Sequence, residues 1–177
     1  AGTPRVRAAG TYDPIRRTYA LTLTQSTPPT PGQPTKEPFH IPFAVGLLCA
    51  SGRELALQLD GEPRPGLATR VFELTQATQQ FVFINVPERP VPSLLRDFSA
   101  PVIVDYRYTD RELAFLSSRD TDAFNRWEAG QRLAMTQLMR LTDAVEAGRA
   151  LEFDDTFTDV LQAILDDYVQ EALASNL

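Results

Sequence analysis

The sequence predicts an immunoglobulin-like antiparallel β-sandwich followed by an all-α segment, within 177 residues. Three observations lead there. All fourteen prolines lie between Pro4 and Pro101, and proline is poorly tolerated inside helices and central strands. Before Tyr108 the apolar residues come in short, mostly alternating runs, the period of half-buried strands. After it they recur at intervals of three and four, as on an amphipathic helix. Charge shifts at the same place: residues 1–107 carry eleven Lys/Arg against nine Asp/Glu, and residues 108–177 carry six against fourteen. The boundary therefore falls near Tyr108. It separates a sandwich domain, residues 1–107, from the start of a helical domain, residues 108–177.

Each strand has its own signal. Val6 to Ala8 and Tyr19 to Thr24 flank the turn "DPIRRT", with Tyr19, Leu21 and Leu23 on one face. Ile41 to Cys49 is a nearly continuous apolar run, as in a strand covered on both faces. "ASGRE" turns into Leu55, Leu57 and Leu59, which alternate with polar partners. Arg70 to Leu74 and Gln79 to Val86 form the next pair, with Phe81 and Phe83 on one face. "PERPVP" breaks the chain before a strand over Leu94 to Phe98, and Val102 to Tyr106 closes the series. About seven or eight short strands at this spacing suit a sandwich, although the Cys…Trp…Cys core of antibody domains is missing.

The helical part opens at "TDRE", Thr109 to Glu112, whose Thr hydroxyl and Glu carboxylate make a capping box. "DTDAF" offers a second start with Asp120 or Thr121 as N-cap. Phe124, Trp127, Gly130, Ala134, Leu138, Leu141 and Val145 then trace the stripe expected to be core, and Gly148 ends the helix. After "EFDDT" the pattern repeats through Phe157, Val160, Leu161, Ile164, Leu165, Tyr168, Val169 and Leu173.

Composition bounds the function. Hydrophobic content of 43% with 23% charged residues is ordinary for a globular protein. No apolar run approaches the roughly 20 residues that span a bilayer, and the N-terminus has no signal-peptide pattern. The single cysteine, Cys49, forms no internal disulfide and asks for no oxidising compartment. A net charge of −6 and a pI near 4.8 weigh against nucleic acid as the partner. The expected location is cytoplasmic, with no membrane and no nucleic acid among the partners.

The chemistry-bearing residues are few. A zinc site needs three or four His, Cys, Asp or Glu ligands, yet His40 and Cys49 are the only nitrogen and sulfur candidates. No H-E-x-x-H occurs, no G-x-S-x-G elbow presents a serine, and no glycine-rich loop could cradle a phosphate. His40, at a strand start, is expected to bond a nearby carbonyl, and Cys49 to be a buried inert thiol. Asp154–Asp155 is read as an N-cap and Asp166–Asp167 as a solvated helix face. The segment Leu21–Phe43 contains five prolines within eleven residues and two P-x-x-P spacings, Pro28–Pro31 and Pro31–Pro34, with Lys36 nearby. Such a run can dock into an aromatic groove, but a stiff, extended connector between strands accounts for it without a partner. No catalytic, cofactor-binding or metal-binding residue is expected in this chain.

"GTPRV", "YALTLTQSTPPTPGQ", "KEPFHIPFAVGLL", "FSAPV" and "DTDAFNRWEAGQRLA" stand here in an order that resembles the bacterial aminopeptidase N (alanyl aminopeptidase) family of zinc-dependent gluzincin peptidases. The resemblance runs from about Gly2 to about Leu165. It implies the family's small sandwich domain and the first helices of its C-terminal domain. The family's zinc helix and its G-x-M-E-N substrate loop are absent, so no catalytic or zinc residue carries over to any position. The implied function is a non-catalytic bridge between an upstream catalytic domain and further C-terminal helices. Zinc, and removal of N-terminal amino acids from peptides, would belong to the parent. The alternatives are a self-standing immunoglobulin-like binding module with a helical tail and a small enzyme with an unfamiliar site. With its partner helices missing, the helical stripe is expected to pair two copies into a homodimer through residues 109–177.

Overall fold

A computed structural model describes residues 2–153 and, beyond them, 155, 157–159, 161–162 and 165–166. The chain divides into two compact units, residues 1–107 and 108–177. No helix among the described residues is long and apolar enough to cross a membrane.

The first unit contains seven strands: β1 (Arg5–Asp13), β2 (Thr18–Ser26), β3 (Ile41–Leu48), β4 (Thr69–Leu74), β5 (Thr78–Phe83), β6 (Val91–Leu94) and β7 (Ile103–Asp105). They form two sheets, ordered β5-β2-β1-β7 and β4-β3-β6. Every ladder is antiparallel except one: β7 runs parallel to β1 beside Arg5–Arg7. The β1–β2 hairpin holds one register from Arg5↔Ser26 to Asp13↔Thr18. Its turn forms because Pro14 presets φ and the Asp13 carboxylate accepts the N–H groups of Ile15 and Arg16 at 2.9 and 3.0 Å.

Alternation builds the core. Val6, Ala8, Tyr19, Leu21, Leu23 and Phe83 come from one sheet, and Phe43, Val45, Leu47, Phe72, Leu74 and Leu94 from the other. Phe72 meets Phe81 and Phe83 at ring-centroid distances of 4.3 and 5.8 Å, the second edge-to-face as aromatic pairs prefer. β3 is buried along nearly its whole length because it is the middle strand of its sheet.

Several expected elements are displaced. Leu55 and Leu57 are buried, yet residues 55–59 form no strand; the segment touches the ladders only through the bridges Leu48↔Glu54 and Leu59↔Phe83. The strand expected at Leu94–Phe98 begins and ends earlier, at Val91–Leu94. Pro92 is tolerated because β6 is an edge strand, where a missing donor removes no ladder bond on its open side. Leu95, Asp97 and Phe98 then take left-handed φ values of 58°, 54° and 47° around a short 3-10 turn, Arg96–Phe98. This twist turns Arg96 inward, to Glu54 at 2.5 Å and the Thr69 hydroxyl at 2.6 Å. Gly46 supplies the space for it, since a Cβ there would lie 2.5 Å from the Arg96 Nη1.

The second unit begins with α1 (Asp110–Arg119), and the capping box at Thr109 and Glu112 is formed in both directions. α2 (Ala123–Glu146) packs against it through a short link, as in a helical hairpin. Its N-cap is Asp122 rather than Asp120 or Thr121: the Asp122 side chain accepts the Asn125 N–H at 2.8 Å. Asp120 is instead the C-cap residue of α1. Gly148, at φ +62°, follows the end of α2.

The buried face of α2 also differs from expectation. Asn125, Ala129, Leu133, Gln137 and Ala144 are buried, whereas Trp127, Leu138 and Val145 are 58%, 56% and 63% exposed. Ala129 and Gly130 allow close approach, the position-130 Cβ site lying 3.8 Å from the Ser117 Cβ, while the larger apolar side chains fall on another face. Of the third expected stripe, Phe157, Leu161 and Leu165 are helical, and Leu161 and Leu165 are exposed. Val160, Ile164, Tyr168, Val169 and Leu173 lie outside the described residues, as do Asp154 and Asp167.

Candidate functional site

The proline-rich connector runs from β2 to β3 and is clamped at its base by one buried side chain. Gln25 continues the inward alternation of Tyr19, Leu21 and Leu23, so its amide enters the first unit. The amide bonds Phe39 in both directions, Nε2 to the Phe39 carbonyl and the Phe39 N–H to Oε1, each at 2.8 Å. It also donates to the Gln76 carbonyl at 3.0 Å. Two connectors are thereby tied to one strand end.

The connector folds back and is not the extended rod its prolines suggest. Thr30 and Gln33 exchange backbone bonds of 3.2 and 2.8 Å across Pro31–Gly32, with Gly32 at φ +79°. Proline followed by a left-handed glycine is the pattern of a type II turn. Lys36 closes the loop, donating to the Thr30 hydroxyl at 2.7 Å and to the Gln33 side-chain oxygen. The turn sits on Pro31, which both P-x-x-P spacings share, so neither continues as straight polyproline II.

His40 and Cys49 flank β3 on opposite ends. The intervening strand Ile41–Leu48 separates them by roughly 25–30 Å at the usual rise per residue. His40 is exposed, and its Nε2 meets the Glu73 carboxylate, not a backbone carbonyl as expected. The pair staples the start of β3 to β4, where Pro42 lies opposite Glu73. Cys49 is buried in a tight turn, its N–H donating to the Arg53 carbonyl at 2.9 Å. Burial pushes its thiol above the usual range, and the Glu88 carboxylate adds to the rise. A thiol held protonated in this way is a poor nucleophile and a poor metal ligand.

Among the described residues no three His, Cys, Asp or Glu side chains converge to hold a metal ion. With the only histidine paired to Glu73 and the only cysteine at the far end of β3, the donor set does not fit zinc. Asp155 is helical and exposed, and Asp166 accepts from Gln162 at 2.8 Å on an exposed helix face.

The polar centres that organise the unit are ones sequence reasoning passed over: Gln25, the Arg96–Glu54 pair, and Glu62. Glu62 accepts the Leu59 N–H at 2.9 Å and the Arg70 guanidinium at 2.5 Å. Those two bonds, the backbone one first, hold its carboxyl below the usual carboxylate range. Gln25 had a signal, a polar residue at an inward-facing strand position. The others depend on partners far away in sequence.

Two domain families match consecutive stretches of this chain. One, described as a domain of unknown function (DUF3458) with an Ig-like fold, covers residues 2–107; the other, DUF3458_C, described as ARM repeats, covers residues 110–177. Aminopeptidase N of Escherichia coli strain K12 is 39% identical over 178 residues, covering 100% of this chain and 20% of that protein. The Haemophilus influenzae aminopeptidase N is 38% identical over 171 residues, 97% of this chain and 19% of the relative. That of Caulobacter vibrioides is 43% identical over 180 residues, 100% and 19% respectively. The chain thus spans about a fifth of the length of the curated relatives it matches. A crystal structure of Legionella pneumophila aminopeptidase A in complex with aspartic acid superposes with a TM-score of 0.72 at 29% identity. That match covers 94% of this chain and 17% of the other.

Proposed function

We propose, for a chain that belongs to the DUF3458 Ig-like family and matches a non-catalytic stretch of aminopeptidase N, that it serves as a structural bridge inside a larger zinc-dependent aminopeptidase. Residues 1–107 act as one domain and residues 108–177 as the start of a second. The sandwich would join an upstream catalytic domain to a longer helical array, and the parent would remove N-terminal residues from peptides in the cytoplasm. The observation that carries the reading is the 38–43% identity to three aminopeptidase N relatives over at least 97% of this chain. The geometry agrees with it. The buried polar groups of the sandwich bond one another and clamp connectors, the work of a rigid spacer.

The parent's zinc has no ligand set among the described residues, and no step of its chemistry is assigned to them. Helices that stack as repeats lean on their neighbours. The exposed Trp127, Leu138, Leu161 and Leu165 therefore support a further inference, that two copies of the isolated chain pair through residues 109–177.

Reading the coding frame upstream of Ala1 tests the proposal. An H-E-x-x-H followed by a further glutamate, within a few hundred codons, is the expected result. A frame that begins close to Ala1 and encodes no such helix would overturn it.

A further inference from the structure

β1 is only partly covered on one side. β7 lies beside Arg5–Arg7 and stops, while β1 continues to Asp13. The Ile103 N–H donates to the Pro4 carbonyl at 3.0 Å, so the even-numbered residues of this stretch turn their backbone groups toward the β7 side. By the same alternation, the Ala8 carbonyl and both backbone groups of Gly10 have no strand opposite them. Unpaired strand edges of this kind are templates for another strand.

A cleft of about 380 Å³ opens at that place, with Ala8, Ala9 and Gly10 along it and Arg7, Arg89 and Arg107 around it. Arg7 faces Asp105 at 3.6 Å. Arg89 and Arg107 make no hydrogen bond or ion pair with any described residue. In a chain of net charge −6, three guanidinium groups and one carboxylate thus share one cleft beside an open strand edge.

We propose that this cleft takes an extended acidic polypeptide segment, added as a short strand along the open edge of β1 with its carboxylates on Arg89 and Arg107. The two observations are independent and specify different things. An open edge offers main-chain bonds to any extended segment and so supplies affinity without selectivity. The guanidinium forks match carboxylates and select the charge. Side chains of an added strand alternate, so acidic residues at every second position would face the arginines together.

Fluorescence anisotropy with the 177-residue chain tests this, using a labelled peptide with Glu at alternate positions and Thr or Val between them. Two control peptides separate the causes: one has Lys in place of Glu, and the other keeps Glu but has Pro at the intervening positions. Saturable binding of the first peptide alone is expected. The proline peptide keeps the charge but lacks the alternate N–H donors, and its affinity is expected to fall about tenfold or more. Arg89→Ala with Arg107→Ala is expected to weaken the first peptide by about tenfold or more, with an unchanged melting temperature. No saturable binding, equal binding of the proline peptide, or an unchanged affinity in the double variant would each overturn the proposal.

Discussion

A methyl group at position 46 would lie 2.5 Å from the Arg96 Nη1, closer than real Cβ contacts come. Arg96 cannot simply retreat, because Glu54 and Thr69 hold it and its surroundings are buried. Gly46→Ala is therefore expected to destabilise the first unit by about 1–3 kcal/mol, the usual cost of overpacking. Amide hydrogen exchange along β3 under increasing urea measures it, and unchanged protection would mean that Arg96 moves freely. Glu62 makes a pH-dependent contribution. Its folded-state pKa is lowered, so the stabilisation is present above the unfolded carboxylate range and is lost as pH falls through the folded value. Glu62→Gln is thus expected to lower stability at pH 7 and to cost less near pH 3, read from unfolding curves at both values. An equal effect at both would contradict the ionic role. Residues of this kind are the ones least legible in a sequence. His40 and Glu73 are 33 positions apart, and Arg96 and Thr69 are 27 apart. Nothing local announces either pairing.

Periodicity made the elements legible, but it did not say which side of a helix would be covered. Tyr19, Leu21 and Leu23 identify both a strand and its inner face, because a strand has only two faces. α2 carries apolar residues around more of its circumference. Trp127, Leu138 and Val145 are exposed, while the buried face carries Ala129, Leu133 and Ala144. The strand expected at Leu94–Phe98 is cut short because Leu95, Asp97 and Phe98 turn left-handed, which brings Arg96 to Glu54 and Thr69. The capping box at Thr109 was legible because all its atoms are local. The two faces of α2 can be told apart by truncation. Leu133→Ala is expected to cost about 2–5 kcal/mol, as for buried leucines, and Leu138→Ala well under that. Thermal unfolding of both variants checks it, and equal losses would mean that the 138 face is also covered.

The two units differ as wholes. The first carries a closed sandwich core with most of its polar groups internally bonded, whereas the second leaves Trp127, Met135, Leu138 and Met139 exposed along one helix. A contiguous apolar surface of that kind favours association. Sedimentation at micromolar concentration is expected to show a dimer that Leu138→Glu with Leu161→Glu converts to monomer; a monomeric unmutated chain would contradict this. A structural bridge, as proposed, is expected to perform no hydrolysis by itself. Its one histidine faces Glu73, its one cysteine is a buried protonated thiol, and the strand β3 stands between them. The most direct test is the rate at which the purified chain, supplied with zinc, hydrolyses an aminoacyl 4-nitroanilide. The expected rate equals that of buffer with the same zinc. A rate that rises in proportion to chain concentration and is abolished by a chelator would contradict it.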